Sequence, residues 1–212
     1  MHYQPQPELL QNRIILVTGA GDGIGREAAL TYARHGAQLI LLGRTLSKLQ
    51  AVQEQIRQLG LSPAAIVQFD LLTAKPADYQ KLGAELASAY PYLDGVLNNA
   101  GLLGTINPLA EQDYQEFCDV MQVNVNASLL LSQALLPLLL KAPSASLIFT
   151  SSSVGKIGRA GWGSYAISKF ATEGMMQVLA DEYKNTNLRV NCINPGGTRT
   201  GMRASAFPDE DP

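Results

Sequence analysis

The feature that most constrains this chain is the run Arg13-Ile-Ile-Leu-Val17, with the glycine turn and helical pattern directly after it. The run is a short, β-branched, apolar segment that ends at Gly19, and helical periodicity takes over at residues 23–34. A strand with no polar alternation is buried on both faces, which is the habit of parallel sheets covered by helices. The same alternation recurs along the chain. Apolar runs at residues 38–42, 65–69 and 94–97 are followed by helical patterns at 45–59, 76–90 and 111–141. Further runs at 147–150 and 188–193 flank a helical pattern at 164–184. Right-handed crossovers turn six such βα units into one α/β fold, a doubly wound parallel sheet of the Rossmann type. With no linker or internal repeat, the 212 residues are expected to form a single domain, 1–212.

Composition narrows the function classes. A hydrophobic fraction of 46% against 16% charged residues supports a substantial core and argues against disorder. A net charge of −2, with no basic cluster, gives no reason to expect nucleic acid as a partner. The longest greasy run, residues 129–140, is short for a bilayer and is interrupted by Ser132, Gln133 and Pro137, so no membrane span is expected. The start, MHYQPQPELLQNR, does not read as a signal peptide. Cys118 and Cys192 lie far apart and fit packing residues of a reducing cytoplasm.

In a doubly wound sheet the ligand site lies beyond the C-terminal strand ends. After the first strand come Gly19, Gly21, Asp22, Gly23, Ile24 and Gly25. Such a turn admits a diphosphate and places it at a helix N-terminus, although the glycines also satisfy backbone geometry alone. After the second strand comes Arg44, where NAD-selective folds keep an acid. Its planar fork suits a 2′-phosphate and favours NADP over NAD, unless it is an ordinary solvated arginine. Asp22 would oppose that phosphate if it pointed inward. Asp70 and Leu71 follow the third strand, and Asn98, Asn99, Ala100 and Gly101 the fourth; they leave room for an adenosine and offer hydrogen bonds.

The fifth strand ends at three serines, Ser151 to Ser153. Among eight tyrosines, only Tyr165 has a lysine, Lys169, four residues on, which places both on one helix face. A phenol is a poor acid near pH 7 unless a neighbouring cation favours the phenolate, and Lys169 would be that cation. A serine could then hold a carbonyl oxygen while Tyr165 moves its proton. Serine hydrolysis fits poorly, because His2 and His35 are the only histidines and no Gly-x-Ser-x-Gly elbow surrounds the serines. No cluster has metal-ligand spacing, so no metal is expected.

Taken in order, Thr18-Gly19-x-x-x-Gly23-x-Gly25, Asn98-Asn99-Ala100-Gly101, Asn124, the serines, Tyr165-x-x-x-Lys169 and Pro195-Gly196 resemble the short-chain dehydrogenase/reductase family from about Arg13 to Met202. The segments MHYQPQ, AGLLGTINPLAEQ and NPGGTRTGMRASAFP are most similar to a group of bacterial cytoplasmic oxidoreductases of unassigned substrate. The resemblance implies NADP-dependent exchange between a carbonyl and an alcohol in a small-molecule substrate. It implies Ser152 as the active serine, with Ser153 the rival, and Lys169 on the nicotinamide ribose. It gives Asn124 a proton relay through water, with Asn126 the rival, or alternatively a structural bridge in a kinked helix. Pro195, Gly196, Thr198 and Thr200 would meet the nicotinamide carboxamide and the diphosphate. Trp162 and Ile157 suggest an apolar pocket, although Trp162 equally suits a subunit contact. Apolar residues on several faces of the two long helices predict a homodimer or homotetramer. An NADP-binding redox sensor and a methyltransferase are the competing readings on a similar fold. Family members continue with a helical cover and a seventh strand where this sequence reads Phe207-Pro-Asp-Glu-Asp-Pro212. The chain is therefore expected to be truncated, with an open substrate pocket and strand six at an exposed edge.

Overall fold

Five consecutive buried residues, Ile14–Thr18, form β1 at the centre of the molecule. The computed structural model describes residues 5–210; residues 1–4, which hold His2 and the start of MHYQPQ, and 211–212 lie outside the described residues. β1 pairs in parallel with β2 (Gln38–Gly43) on one side and β4 (Gly95–Asn98) on the other. With β3 (Ala65–Gln68), β5 (Ala145–Thr150) and β6 (Leu188–Ile193), the sheet has six parallel strands in the order β3-β2-β1-β4-β5-β6. Strand order reverses between β1 and β4, and among the described residues β6 pairs only with β5, at an edge.

Alternate residues of a strand face opposite ways, and both faces of this sheet are covered. Ile15, Val17, Leu39 and Leu41 meet Ala29, Leu30 and Ala33 of α1 (Gly23–Arg34) and Leu49, Val52 and Ile56 of α2 (Leu46–Gln58). On the other face Ile14, Leu16, Ile40 and Leu42 share a core with Tyr79, Leu82 and Leu86 of α3 (Pro76–Ala89). Pro76 opens α3, where its missing N–H leaves nothing unsatisfied, and Asp78 accepts from the Lys75 N–H at 2.8 Å.

The helix expected over 111–141 is not one uniform element. A 3₁₀ turn at Leu109–Glu111 precedes α4 (Tyr114–Met121), which begins where the Asp113 carboxylate accepts from the Glu116 N–H at 2.8 Å. A π-turn at Gln122–Asn126 then leads into α5 (Ala127–Leu139). The Ser128 hydroxyl donates to the Asn124 carbonyl at 3.0 Å, which compensates part of the disturbed ladder. After β5, a 3₁₀ turn at Ser153–Gly155 leads to α6 (Gly163–Glu182), and a short helix, α7 (Gly201–Ala206), follows β6.

Candidate active site

The C-terminal ends of β1, β4 and β5 are tied together by hydrogen bonds. The Thr18 hydroxyl accepts from the N–H groups of Asn99 at 2.9 Å and Ala100 at 3.0 Å, and the Thr150 hydroxyl donates to the Asn99 amide oxygen at 3.3 Å. The glycine turn is pressed into this framework. Gly19 has φ +65, and a Cβ there would lie 3.1 Å from the Ala100 Cα. A Cβ on Gly25 would lie 2.3 Å from the Gly19 carbonyl oxygen, so any side chain would push the turn off the helix. Gly25 itself is buried beneath the turn, while Gly19, Gly23 and Ile24 line the cleft above it.

That cleft has a volume of about 570 Å³ and brings together most of the expected positions. Arg44, Asp70 and Leu71 line its β2–β3 end; Asn99, Ala100 and Gly101 its middle; Ser152, Tyr165 and Lys169 its β5 side. Pro195, Gly196, Thr198 and Thr200 close it from the loop after β6. Asn124 is 2% exposed and stands behind this wall, not on it.

Electrostatics at the β2 end differ from a free acid beside a free arginine. The Asp22 carboxylate caps α1, accepting from the Gly23 N–H at 2.8 Å, and is also held by the Lys48 ammonium. That hydrogen bond with Lys48, with the Gly23 N–H second, holds the carboxyl below its ordinary value. Arg44 is exposed and has no side-chain partner among the described residues. Lys48 also lines the cleft, and nothing in its sequence neighbourhood singled it out.

α6 places Tyr165 and Lys169 one turn apart. Lys169 is 4% exposed; its ammonium donates to the Thr150 carbonyl at 2.7 Å and lies 5.4 Å from the Tyr165 ring centroid. Burial pulls the lysine down to about 8, opposed by the nearby Cys192 thiol. Burial pushes the Tyr165 phenol above its ordinary value, against a hydrogen bond with Ser152. The lysine therefore does not leave the phenol acidic, and near neutral pH the hydroxyl keeps its proton.

The three serines separate by position. Ser151 is 2% exposed, its N–H donates to the Ile193 carbonyl at 2.7 Å, and its hydroxyl has no partner among the described residues. Ser153 is exposed at the start of the 3₁₀ turn. Ser152 is half-buried, lines the cleft with Tyr165 and is the serine whose hydroxyl opposes the rise of the phenol.

The Asn124 amide oxygen accepts from the Leu102 N–H at 2.7 Å, and its NH₂ donates to the Leu102 carbonyl and the Ser168 hydroxyl, each at 2.9 Å. The rival Asn126 is exposed and donates to Gln122 at 3.1 Å, away from the cleft. His35 packs on the N-terminal segment, with Nδ1 3.0 Å from the Gln6 carbonyl oxygen, so it does not reach the serines. Among the described residues no group of three or more His, Cys, Asp or Glu is placed to hold a metal ion, and no helix is long and apolar enough to cross a membrane.

The open substrate side expected from the sequence is partly walled. Trp162 lies 6.0 Å from Tyr165 and 5.7 Å from Phe207 between ring centroids, and Met202 and Ala206 of α7 continue the surface. Ile157, expected to share that pocket, is instead 77% exposed, because the 3₁₀ turn carries it outward.

A family model described as short chain dehydrogenase matches residues 13–211. The uncharacterized oxidoreductase YciK of Escherichia coli (strain K12) is 65% identical over 213 residues, covering 100% of this chain and 84% of that protein. A crystal structure from Escherichia coli CFT073, complexed with NADPH, matches with TM-score 0.96 at 64% identity, covering 98% of this chain and 86% of that one. Another, from Shigella flexneri 2a str. 301 and complexed with NADP, matches with TM-score 0.95 at 62% identity, covering 97% and 86% of the two chains.

Proposed function

Because the chain belongs to the short chain dehydrogenase family, we propose that it is an NADP-dependent oxidoreductase acting on a carbonyl or alcohol, with Tyr165 as its general acid and base. The observation that carries the reading is that Ser152, Tyr165 and Lys169 line one cleft together with the glycine turn. The residues present fit the cofactor. Gly19, Gly23 and Ile24 leave backbone open at the α1 N-terminus for a diphosphate, and Arg44 offers an exposed guanidinium at the cleft's β2 end to a 2′-phosphate. Asp70, Leu71, Asn99, Ala100 and Gly101 border the adenosine and ribose region, and Pro195, Gly196, Thr198 and Thr200 face the nicotinamide end. The solved relatives complexed with NADP and NADPH support the same choice over NAD.

When bound, NADP supplies or accepts the hydride. Everything else falls to side chains of this chain. Ser152 and Tyr165 together hold the substrate oxygen, and Tyr165 gives it a proton as the carbonyl becomes an alcohol. A phenol kept protonated by burial is the form that reduction consumes. The Lys169 ammonium, beside the ring, stabilises the phenolate that is left and can reach the nicotinamide ribose. We assign Asn124 the bracing of Leu102 against α6 through Ser168, since its amide is already occupied by those contacts.

The outer faces of α5 and α6 leave Leu129, Phe170 and Val178 exposed at 40%, 45% and 57%. We read them as the contact of a homodimer or homotetramer, and the two free cysteines as fitting a cytoplasmic location. The deciding experiment is Tyr165→Phe, which keeps the ring and removes the proton donor. Turnover of carbonyl compounds with NADPH should disappear while NADPH binding, followed by fluorescence, persists. Retained turnover would refute the role of Tyr165. A native chain that binds NADPH yet turns over no carbonyl would favour a redox sensor.

A further inference from the structure

The charges that line the cleft are distributed unevenly. Asp22, Arg44 and Asp70, from the segments after β1, β2 and β3, and Lys48, from the first turn of α2, all lie on the adenosine side. On the substrate side of Tyr165 the charged lining groups are Lys169 and Arg203, and both are engaged. Lys169 donates to the Thr150 carbonyl at 2.7 Å. The Arg203 guanidinium lies over Phe207 at 4.6 Å, with its Nε donating to Glu210 at 2.6 Å and a second nitrogen to the same carboxylate. What remains facing the phenol is apolar: Trp162 and Phe207 in contact, extended by Met202 and Ala206.

Trp162 is held by a backbone bridge to Asn107 and by its backbone N–H, which donates to the Arg159 carbonyl at 3.1 Å; the Arg159 guanidinium lies over the ring at 5.9 Å but does not line the cleft. Its ring thus forms a standing wall beside the hydroxyl that would hold the substrate oxygen. Among the described residues lining that side, a free ammonium on the substrate would meet no carboxylate. A free carboxylate would meet only Arg203, paired with Glu210, and the buried Lys169 ammonium, already donating to the Thr150 carbonyl, so desolvating either charge would cost more than an apolar group gains.

Resting on the reductase reading, we propose that the substrate is an uncharged carbonyl compound, or its alcohol, carrying a ring or bulky apolar group next to the reacting carbon, and that Trp162 and Phe207 select it by packing against that group. Trp162 is the only tryptophan in the chain, so its fluorescence reports directly on this wall.

The test uses acetophenone, acetone and phenylglyoxylate, which differ in the ring and in the carboxylate, with the native chain, Trp162→Ala, Trp162→Phe and Arg203→Gln. With NADPH, acetophenone should be reduced with kcat/KM about tenfold or more above the other two, as an aromatic contact of this kind allows. Trp162→Ala should erase about tenfold of that preference, raising KM for acetophenone about tenfold more than for acetone, and leave NADPH binding unchanged. Trp162→Phe should retain most of the preference. In the NADP⁺ complex, acetophenone should quench Trp162 saturably and phenylglyoxylate should not. A preference for phenylglyoxylate that Arg203→Gln abolishes would overturn the proposal in favour of an anionic substrate. Equal loss for all three probes in Trp162→Ala would overturn it as well. Saturable quenching with no reduction of any probe would leave the pocket intact and refute the reductase reading instead, whereas absence of both would refute the two together.

Discussion

Lys169→Met separates what the buried lysine does for chemistry from what it does to stability. The lysine falls from an ordinary 10.5 to about 8 in the folded protein, and burial is the main cause. That shift corresponds to about 3 kcal/mol against the charged form at pH 7. The hydrogen bond from the ammonium to the Thr150 carbonyl returns some of it, about 1.5–3 kcal/mol for a charged donor. Methionine keeps the stem, removes the charge and forfeits that bond. At pH 7 the variant should therefore fold within about 2 kcal/mol of the native chain while losing turnover. The pH dependence is the sharper signature. Below about 8 the lysine is charged both folded and unfolded, and stability is insensitive to it. Between about 8 and 10.5 only the unfolded chain keeps the proton, so native stability rises with pH. From pH 7 to 9.5 the native chain should gain about 2 kcal/mol on the variant, while groups common to both cancel. Urea denaturation followed by circular dichroism at the two pH values measures this. A difference that stays flat, or moves the other way, would refute the buried-cation reading.

Arg44→Ala should weaken NADPH binding by about 10- to 100-fold, as expected for loss of a charge-assisted pair, and leave NADH nearly unchanged; equal loss for both cofactors would remove Arg44 from the 2′-phosphate. Ser152→Ala should lower turnover markedly while Ser153→Ala does not, measured by NADPH oxidation, and the reverse pattern would shift the active serine by one. Phe170→Glu on α6 should reduce the mass seen by light scattering at micromolar concentration to that of a monomer, and a native chain already monomeric there would count against assembly through this face.

The fold was largely legible because its signals are local. Buried parallel strands must be continuously apolar, and Ile14–Thr18, Gln38–Gly43 and Leu188–Ile193 lie within two residues of the apolar runs that announced them. The Tyr165–Lys169 pairing comes from helical spacing alone. The features that escaped depend on contacts across the chain. The hydrophobic period at 111–141 could not reveal the π-turn, whose Asn124 amide bonds Leu102 in the distant loop after β4. The direction of Asp22 is decided by Lys48, on the next helix. The wall beside Tyr165 needs Phe207 to return from beyond β6 to Trp162. A serine's depth cannot be read from three identical letters; Ser151 is buried where its N–H joins β6 and the Gly155 turn lies against its hydroxyl.

The wide turn at Gln122–Asn126 makes chain length, rather than residue identity, the vulnerable variable at this point. A turn closed between i and i+5 holds one residue more than an α-turn, so five residues cover roughly the arc of four. Removing one residue here would restore an ordinary helix without rotating what lies on either side. α4 could stay against α6, and α5 against α3. The amide that reaches Leu102 and Ser168 would be lost from its place all the same. To the architecture the surplus residue is optional, and to the site it is not. A single-codon deletion in this turn would therefore yield a chain that still folds but whose Leu102 strand end is no longer anchored to α6.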